Sequence, residues 1–354
     1  MFLESLGAGE SIFGAFQTYA AQGLVLARVA RSDRNRYHLL TENSEADSEP
    51  SGSFWYRSED HASLPVVGDW VGARMVGPQQ ALVEVVLRRR TAFSRRAAGK
   101  RTEEQVIAAN IDLVFLVCGL DGDFNLRRLE RYLALASASG ARPVVVLNKA
   151  DLCAKWPPPV AETMEVAGET PVVMVSARTG EGLDGLRSHL AFGRTVALLG
   201  SSGAGKSTLI NRLLGEDRLR TAEVRLSDSR GRHTTSHREL IPLPGGGALI
   251  DTPGMRELQL WAETENVEAA FDDIAAVARS CRFRDCSHAG DDGCAVEAAV
   301  RDGALSQERL RSFQKLIREA QRHEEMTDRL AAQERKAKVK QFHRALRRHY
   351  KLNR

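Results

Sequence analysis

One segment of the chain reads Gly200-Ser201-Ser202-Gly203-Ala204-Gly205-Lys206-Ser207-Thr208, and it lies between the apolar run 196–199 and the helical pattern 209–214. The order of strand, glycine-rich loop and helix is typical of a phosphate-binding loop, in which successive backbone N–H groups and a helix N-terminus face one concavity. Lys206 would reach the β- and γ-phosphates, and the Ser207 hydroxyl would bind Mg²⁺. The segment predicts a nucleoside triphosphate site without saying which nucleotide it holds.

The length and composition of the chain limit its class. With 354 residues, of which 43% are hydrophobic and 27% charged, it is typical of a globular protein with about two or three domains. No apolar run approaches the roughly 20 residues that a membrane span requires, and the N-terminus lacks the pattern of a signal peptide. We therefore expect a cytoplasmic protein that has no membrane partner.

Residues 20–92 show short alternating apolar runs separated by turn residues, and no helical period of useful length. Several short strands at this spacing favour a small β-barrel or a β-sandwich, and an all-β barrel of the oligonucleotide-binding kind (OB-fold) fits a segment of about 75 residues. The period alone does not distinguish barrel from sandwich. The acidic, serine-rich segment from Glu42 to Ser53 is predicted to be an exposed loop.

From residue 111 the pattern changes to apolar strands that alternate with helices. Near-continuous apolar strands of this kind predict an α/β fold with a parallel sheet covered by helices on both faces. The ligand-binding loops of such a sheet lie at the carboxyl ends of its strands. From about residue 262 the pattern is mainly helical.

Positive charge is concentrated in two segments of the chain. Residues 88–101 contain seven Lys and Arg residues and no acid, and residues 335–354 contain nine and no acid. A solvated helical face would also be charged, but the second segment is more one-sided than solubility requires. We therefore expect nucleic acid as a partner.

Two short motifs that follow predicted strands indicate the nucleotide, Asn148-Lys149-Ala150-Asp151 and Ser176-Ala177. The Asp151 carboxylate matches the paired N1–H and N2–H donors of guanine, and adenine presents no such pair. Asn148 would hold the loop and the base N7, the Lys149 stem would cover the ring face, and the Ala177 N–H would donate to O6. A capped turn could resemble the first motif, but its combination with Ser176-Ala177 and a phosphate loop favours guanine.

Two further segments, Gly231-Arg232-His233-Thr234-Thr235 and Asp251-Thr252-Pro253-Gly254, follow the phosphate loop. Asp251 would hold Mg²⁺ through water, and the Gly254 N–H would contact the γ-phosphate. The first segment has no strand or helix pattern, and we interpret it as a switch in which Thr235, or Thr234 one register away, completes the Mg²⁺ shell. An ordinary flexible loop with a threonine pair is the alternative.

The attacking water needs a group that positions it. Met255 stands directly after the Asp-x-x-Gly glycine, where many small GTPases carry a glutamine, and its side chain cannot orient water. His233 is the candidate instead, because a neutral imidazole accepts a hydrogen bond; the alternative is that it contacts RNA or solvent. We assign catalysis to His233, Lys206 and Thr235, and we predict slow intrinsic hydrolysis that a partner accelerates.

The order of the motifs differs from the common arrangement, in which the phosphate loop comes first. Here the motif that begins at Asn148 precedes Gly200 by about fifty residues. The same sheet can form from a chain that starts at another strand, provided that the original termini lie close together. The order therefore predicts a circular permutation.

Three cysteines and one histidine lie within fourteen residues, Cys281, Cys286, His288 and Cys294. Three thiolates and one imidazole can form a closed tetrahedral zinc site. Because protein groups fill every ligand position, the metal is expected to be structural. Gly293 would allow a tight turn before the last ligand.

These motifs, together with Gly68-Asp69-Trp70-Val71 in the barrel region, resemble the ribosome-small-subunit-dependent GTPase A (RsgA) family. The resemblance covers nearly the whole chain and implies an N-terminal OB-fold barrel, a circularly permuted α/β P-loop GTPase domain and a mainly α zinc-binding domain. It implies GTP or GDP, Mg²⁺ and one structural Zn²⁺ as cofactors. It also implies late maturation of the small (30S) ribosomal subunit as the role, with that subunit and its rRNA as partners and with hydrolysis stimulated by the subunit. We expect a monomer.

The expected domains are an N-terminal extension over residues 1–19, the barrel over 20–95, the GTPase domain over 96–260 and the zinc-binding helical domain with its basic tail over 261–354. Two other functions stay open. In one, the chain is a P-loop ATPase or kinase and residues 148–151 match by accident. In the other, it is an RNA-binding protein whose nucleotide is mainly structural.

Overall fold

The computed structural model describes residues 2–33, 35–58, 61–96, 104–121, 124–153, 160–218, 238–251, 264–322 and 324–325. These residues form two compact units, one within Met1–Arg95 and Glu104–Gln259 and the other within Arg96–Glu103 and Leu260–Arg354. In the described part of the chain, no helix is both long and apolar enough to cross a membrane. The predicted switch at 231–235, residues 252–255 and the basic tail at 335–354 lie outside the described residues.

The helices and strands follow the alternation that the sequence predicts. The helices are α1 (Phe2–Ser5), α2 (Glu10–Ala20), α3 (Gly52–Arg57), α4 (Leu126–Ser139), α5 (Val160–Ala167), α6 (Leu183–Arg187), α7 (Lys206–Leu214), α8 (Thr264–Ala270), α9 (Asp272–Ala278), α10 (Ala295–Arg301) and α11 (residues 307–322). The strands are β1 (Val25–Asp33), β2 (Arg36–Thr41), β3 (Glu45–Pro50), β4 (Trp70–Gly77), β5 (Gln80–Val86), β6 (Ala92–Arg96), β7 (Glu104–Ala109), β8 (Leu113–Gly119), β9 (Arg142–Asn148), β10 (Val172–Met174), β11 (Thr195–Gly200), β12 (Arg238–Pro242) and β13 (Ala248–Asp251).

The first five strands close into a barrel. β1 pairs antiparallel with both β2 and β4, β2 pairs with β3, β3 runs parallel to β5, and β5 pairs with β4. Val29, Leu39, Val71 and Val83 are fully buried inside it. The closed order confirms the OB-fold barrel and excludes the sandwich.

The prediction of an exposed loop from Glu42 to Ser53 is wrong, because this segment contains β3 and the start of α3. Along β3, acidic residues that face outward alternate with small buried residues, Ala46, Ser48 and Pro50. A search for apolar alternation misses such a strand, and only its pairing with β2 and β5 makes it one. α3 begins where the Ser51 hydroxyl accepts a hydrogen bond from the Phe54 N–H at 3.1 Å.

The second sheet region has the strand order β10-β9-β8-β11-β13-β12. Its first five strands are parallel, and β12 pairs antiparallel with β13. Every residue of β8 and of β11 is buried, as expected for a sheet covered on both faces. β12 also pairs with β1, so that barrel and parallel sheet join in one continuous sheet of eleven strands.

The N-terminal residues, for which the sequence predicts no role, contact both parts of this sheet. The N–H groups of Phe2 and Leu3 donate to the Glu42 carboxylate at 3.1 and 2.9 Å, next to the barrel. The Ser5 carbonyl accepts from the N–H of Gly247, in the turn between β12 and β13, at 2.6 Å. This segment therefore joins the barrel to the parallel sheet.

A buried arginine lies at the same junction. Arg28 on β1 is 1% exposed, and its guanidinium donates to the carbonyl of Leu6, to the carbonyl of Asn110 at 3.2 Å and to the Thr195 hydroxyl at 2.7 Å. Burial lowers the pKa of Arg28 to about 9. One side chain of the barrel thus binds the N-terminal segment and the amino ends of the parallel strands.

The arginine-rich segment 88–101 is partly structural. Arg89 forms a two-pronged ion pair with the fully buried Asp69 carboxylate, at 2.8 Å from Nε and 2.7 Å from Nη2. It also donates to the carbonyls of Ala62 and Leu64, at 2.6 and 2.7 Å. Its guanidinium is therefore held inside the fold, which the count of positive charges did not predict.

The second unit is helical, and α9 and α11 pack through an arginine. Arg309 on α11 donates to the Asp273 carboxylate of α9 at 2.6 and 2.8 Å, and its guanidinium lies 4.8 Å from the ring centroid of Phe271. The rings of Phe271 and Phe313 are 5.5 Å apart. This contact supports the cysteine-rich segment between α9 and α10.

Candidate nucleotide site and metal centre

The predicted phosphate loop connects the buried strand β11 to helix α7. β11 ends at Gly200, and Gly205 precedes the helix in the left-handed region, with φ +91°. A Cβ at Gly205 would lie 2.2 Å from Asn148 Nδ2, so both the backbone conformation and the space require glycine. The Lys206 ammonium donates to the carbonyls of Gly200 and Ser201 at 2.7 and 2.6 Å, which places it over the loop.

Asn148, the last residue of β9, connects the phosphate loop to the Ser176-Ala177 loop. Its Nδ2 donates to the Ala204 carbonyl at 2.8 Å, and its Oδ1 accepts from the Ala177 N–H at 3.0 Å. Asn148 is 2% exposed, so these bonds are shielded from water. Three loops that are far apart in sequence are thereby held at one edge of the sheet.

Both oxygens of the Asp151 carboxylate have partners in this structure. Oδ1 accepts from the Ser176 hydroxyl at 2.6 Å, and Oδ2 lies 2.8 Å from Nη2 of Arg178. The Ser176 hydrogen bond is the largest cause that lowers the pKa of Asp151, and Arg178 adds to it. The carboxylate is therefore ionised, and the Arg178 side chain that pairs with it is mostly exposed.

Lys149 has a left-handed backbone, with φ +68°, and its ammonium pairs with Asp121. Asp121 follows β8, and its Oδ1 lies 3.3 Å from where a Cβ of Gly119 would be. Sequence reasoning missed Asp121, because no motif marks it. Its position after the strand between β9 and β11 was the one available signal.

Arg212 on α7 is a second residue that sequence reasoning missed. Its Nε donates to the Ala177 carbonyl at 2.9 Å, and its Nη2 donates to the Arg178 carbonyl at 2.8 Å. The helix that starts at the phosphate loop therefore also holds the Ser176-Ala177 loop from behind. A basic residue in the last turn of α7 is visible in the sequence, but its target is not.

The structure describes some of the predicted Mg²⁺ residues. Ser207 and Thr208 are half-buried in the first turn of α7, and Asp251 is half-buried at the end of β13, the strand beside β11. His233, Thr234, Thr235 and Gly254 lie outside the described residues.

The cysteine-rich segment brings together all four predicted metal ligands. The ligand atoms of Cys281, Cys286, His288 and Cys294 lie within 4.8 Å of one another. His288 Nδ1 is 3.6 Å from Cys281 Sγ and 3.5 Å from Cys294 Sγ. Tetrahedral zinc with bonds of about 2.3 Å to sulfur and about 2.0 Å to nitrogen separates such atoms by about 3.5 Å. The donor set and its spacing thus fit zinc.

Tight turns bring these ligands together. His288 has φ +54°, and Gly293 has φ +74°, where a Cβ would lie 2.9 Å from Cβ of Arg282. Burial lowers the pKa of His288, which favours the neutral imidazole that binds a metal ion. The Gln314 side chain on α11 donates to the His288 carbonyl and connects the cluster to that helix.

Loops that precede the phosphate loop in sequence lie beside it at one edge of a parallel sheet, and this arrangement defines a circularly permuted P-loop GTPase. The chain belongs to the RsgA GTPase family. The model of that family matches residues 86–261. As a member, the chain is a GTPase that uses GTP and Mg²⁺.

Curated relatives match along most of their length. The chain is 50% identical over 329 residues to "Small ribosomal subunit biogenesis GTPase RsgA" of Opitutus terrae, covering 90% of each chain. It is 43% identical to the protein of the same name from Methanosarcina acetivorans, covering 94% of this chain and 86% of the relative.

Solved structures support the same fold. YjeQ from Thermotoga maritima is similar with a TM-score of 0.63 at 25% identity, covering 84% of this chain and 98% of that one. YloQ, described as a circularly permuted GTPase, has a TM-score of 0.62 at 23% identity, covering 84% and 95%. The predicted permutation and the three-part architecture are confirmed.

Proposed function

We propose that this chain hydrolyses GTP during late maturation of the small ribosomal subunit, and that the subunit and its rRNA stimulate the hydrolysis. The names of the curated relatives support this role. The observation that carries the proposal is Asn148, whose buried amide connects the phosphate loop to the Ser176-Ala177 loop. One nucleotide could therefore be bound at both ends, with its base at the Ser176-Ala177 loop and its phosphates at the phosphate loop.

In this proposal, Asp151 recognises guanine. Its ionised carboxylate accepts the N1–H and N2–H donors of the base, and the Lys149 stem covers the ring face. Asn148 contacts N7. The predicted bond from the Ala177 N–H to O6 needs that N–H to leave Asn148 Oδ1, to which it donates at 3.0 Å in this structure. The carboxylate must exchange its present partner Arg178 for the base, because Arg178 lies 2.8 Å from one of its oxygens.

The phosphates are bound by backbone N–H groups from Gly200 to Thr208 and by the N-terminus of α7. The Lys206 ammonium contacts the β- and γ-phosphates. Mg²⁺ neutralises phosphate charge when bound, and Ser207, Asp251 and either Thr235 or Thr234 would hold it, with the Gly254 N–H on the γ-phosphate. His233 would position the attacking water, since Met255 cannot.

We propose that Cys281, Cys286, His288 and Cys294 hold one structural Zn²⁺. A bound zinc ion would fix the turns between α9 and α10. Its role would be structural, because protein groups fill all four ligand positions and none is left open for catalysis. Purified protein with a zinc-to-protein ratio near zero would contradict this. Chelation should unfold the residues around the cluster and leave GDP binding intact.

The Asp151→Asn variant tests guanine recognition. It should weaken GTP binding by roughly 10⁴-fold, because an amide presents an N–H to the N1–H of guanine. It should gain affinity for xanthosine triphosphate, whose base replaces a donor by an acceptor. Equal binding of GTP by variant and wild type would instead favour a P-loop ATPase or kinase, and Glu181→Gln, at an exposed acid near the same loop, serves as the matched control.

Stimulation is tested by the GTPase rate with and without purified small subunits across a series of salt concentrations. The rate should rise with subunits and fall back as salt screens the RNA phosphates. A GTPase rate that is the same with and without subunits would favour an RNA-binding protein whose nucleotide is structural. In single turnovers, His233→Ala should lose the stimulated rate, and an unchanged rate would remove the catalytic role of His233.

We further propose that the protein is a cytoplasmic monomer with the domain bounds given above, 1–19, 20–95, 96–260 and 261–354. Size-exclusion chromatography with light scattering at several concentrations tests the monomer. Limited proteolysis tests the bounds, since cleavage should concentrate near residues 96 and 261 rather than within β8 or β11.

A further inference from the structure

A second polar pocket lies at the opposite edge of the parallel sheet from the nucleotide site. Its cavity of about 260 Å³ is lined by three arginines, Arg90, Arg142 and Arg194, and by one acid, Asp112. Arg142 is the first residue of β9, and Arg194 directly precedes β11. We call this the amino-edge pocket, because it lies where these strands begin.

The acid in the amino-edge pocket, Asp112, pairs with only one of the three arginines, Arg90. Asp112 Oδ2 accepts from the Thr195 N–H at 2.8 Å, and Oδ1 lies 3.4 Å from Nη2 of Arg90. Within the described part of the chain, the side chains of Arg142 and Arg194 form no ion pair and no hydrogen bond. Two guanidinium groups therefore face the cavity with their donors available.

Two other exposed arginines of this unit, Arg36 and Arg187, have acidic partners. Arg36 pairs with Glu49 at 3.3 Å, and Arg187 pairs with Asp184 at 3.1 Å. In each of these pairs, one carboxylate offsets one guanidinium charge. The amino-edge pocket differs, because arginines from three segments line it with a single carboxylate, and that carboxylate is already paired with Arg90.

Buried charge behind the pocket adds to the field. The guanidinium of Arg28 donates to the Asn110 carbonyl and to the Thr195 hydroxyl, directly behind the pocket wall. Burial lowers the pKa of Arg28 to about 9, the negative charge of Asp112 raises it and the positive charge of Arg90 lowers it. The nearby Asp69 is already paired with Arg89. An anion in the pocket would therefore be attracted by four arginines against one carboxylate.

We propose that the amino-edge pocket binds a phosphate group. The guanidinium fork matches phosphate oxygens with two parallel hydrogen bonds, and arginines from different segments can contact different oxygens of one tetrahedral group. The phosphate comes either from an RNA backbone or from free inorganic phosphate. Binding of an RNA phosphate rests on the proposed function, whereas binding of free inorganic phosphate does not.

The first arm of the test measures binding to purified small subunits at several salt concentrations, with the full chain loaded with GDP. Arg142→Ala and Arg194→Ala should each weaken binding by roughly three- to tenfold. The double variant should make the plot of log K against log salt shallower by about 1, as expected for one lost phosphate contact. Arg187→Ala, which removes one paired arginine from the same unit, should leave the slope unchanged.

The second arm uses inorganic phosphate as the probe. Thermal unfolding of the GDP-loaded chain is followed in sodium phosphate and in sodium chloride of equal ionic strength. If free phosphate binds, it should stabilise the wild type and Arg187→Ala more than chloride does, and the Arg142→Ala/Arg194→Ala variant should lose this difference. Arg142→Lys should keep part of the effect, because its charge is retained without the fork.

The two arms separate the failures. If the wild type does not bind subunits, the proposed function fails and the phosphate arm alone decides the inference. If the wild type binds them and the double variant has the same affinity, the same salt slope and the same response to phosphate, the pocket binds no phosphate and the inference is overturned. Equal GDP affinity in all variants confirms that they are folded.

Discussion

The two edges of the parallel sheet use similar polar residues for different purposes. At the carboxyl edge, Asp151, Lys149 and Lys206 contact neighbouring polar groups and stay partly exposed. At the amino edge, Arg28 is fully buried and bound on several sides. Asp151 and Lys206 must exchange their present partners for a ligand, whereas Arg28 joins parts of the fold.

Burial and the nature of a side chain's partners separate binding residues from structural ones in this chain. Residue type does not distinguish binding residues from structural ones, because arginine occurs at both edges. Burial and the nature of the partners do, since a buried guanidinium surrounded by carbonyls has no donor left for a ligand. Changes at the carboxyl edge should therefore alter affinity, and changes at Arg28 should alter stability.

The largest effect is expected for Arg28→Met. The carbonyls of Leu6 and Asn110 and the Thr195 hydroxyl would lose their donor in a buried position, at a cost of about 3 kcal/mol in the free energy of unfolding. Urea denaturation measures it, with Arg31→Met, at an exposed arginine on the same strand, as the control. A loss below about 1 kcal/mol would mean that relief from burying the charge offsets the lost hydrogen bonds.

Gly205→Ala should act on binding instead. The new Cβ would meet Asn148 Nδ2 at 2.2 Å, and alanine disfavours φ +91°, so the bridge to Ala204 should break. We expect GDP affinity to fall by about fiftyfold, from backbone strain and one lost hydrogen bond.

A fluorescent GDP analogue measures this loss. Gly168→Ala is the matched control, because its φ is also positive, +56°, and its Cβ would have no neighbour within 4 Å. It should lose a little stability and no affinity. Equal affinities of the Gly205→Ala variant and wild type would show that the phosphate loop does not need the Asn148 bridge.

Arg212→Ala should have a smaller effect on the same edge. Two hydrogen bonds to the carbonyls of Ala177 and Arg178 would be lost, and the KM for GTP should rise about tenfold with kcat unchanged. Steady-state kinetics distinguish this positioning role from catalysis, since a fall in kcat at saturating GTP would contradict it. Arg36→Ala, at an exposed and ion-paired arginine on β2, is the control.

Arg178→Ala should have the smallest effect and the opposite sign. Arg178 occupies an oxygen of Asp151 that guanine needs, and an exposed ion pair contributes up to about 1 kcal/mol. Removing it should tighten GDP binding by about two- to fivefold, and Arg178→Lys should stay close to wild type. Weaker binding by the alanine variant, measured by the same fluorescence assay, would show that Arg178 contacts the nucleotide itself.

Much of the parallel sheet could be predicted because its strands are buried on both faces. β8, β9 and β11 each contain a continuous apolar run, and the motifs come at or directly after the ends of β9 and β11. The barrel was harder to predict. β3 buries alanine, serine and proline, whose pattern has no apolar period, and the choice of barrel over sandwich depended on the pairing of β1 with β4.

Residues of the candidate site that belong to a sequence motif could be predicted. Residues that take part only through a contact with a distant segment could not. Asn148, Asp151 and the metal-ligand cysteines stand in recognisable spacings. Arg212 and Asp121 have no motif, because each acts through a partner more than twenty residues away in sequence. Arg89 was counted as available charge, and only its buried pairing with Asp69 shows that it is not.

The class of this protein follows from its amino-acid sequence, because phosphate-binding, base-binding and metal-binding sites each require particular residue types at short spacings. So does the permutation, since the order of motifs is read directly from the chain. The tertiary structure decided which arginines are structural and which face a cavity. Burial and partner geometry depend on contacts between distant segments, and no local pattern in the sequence encodes them.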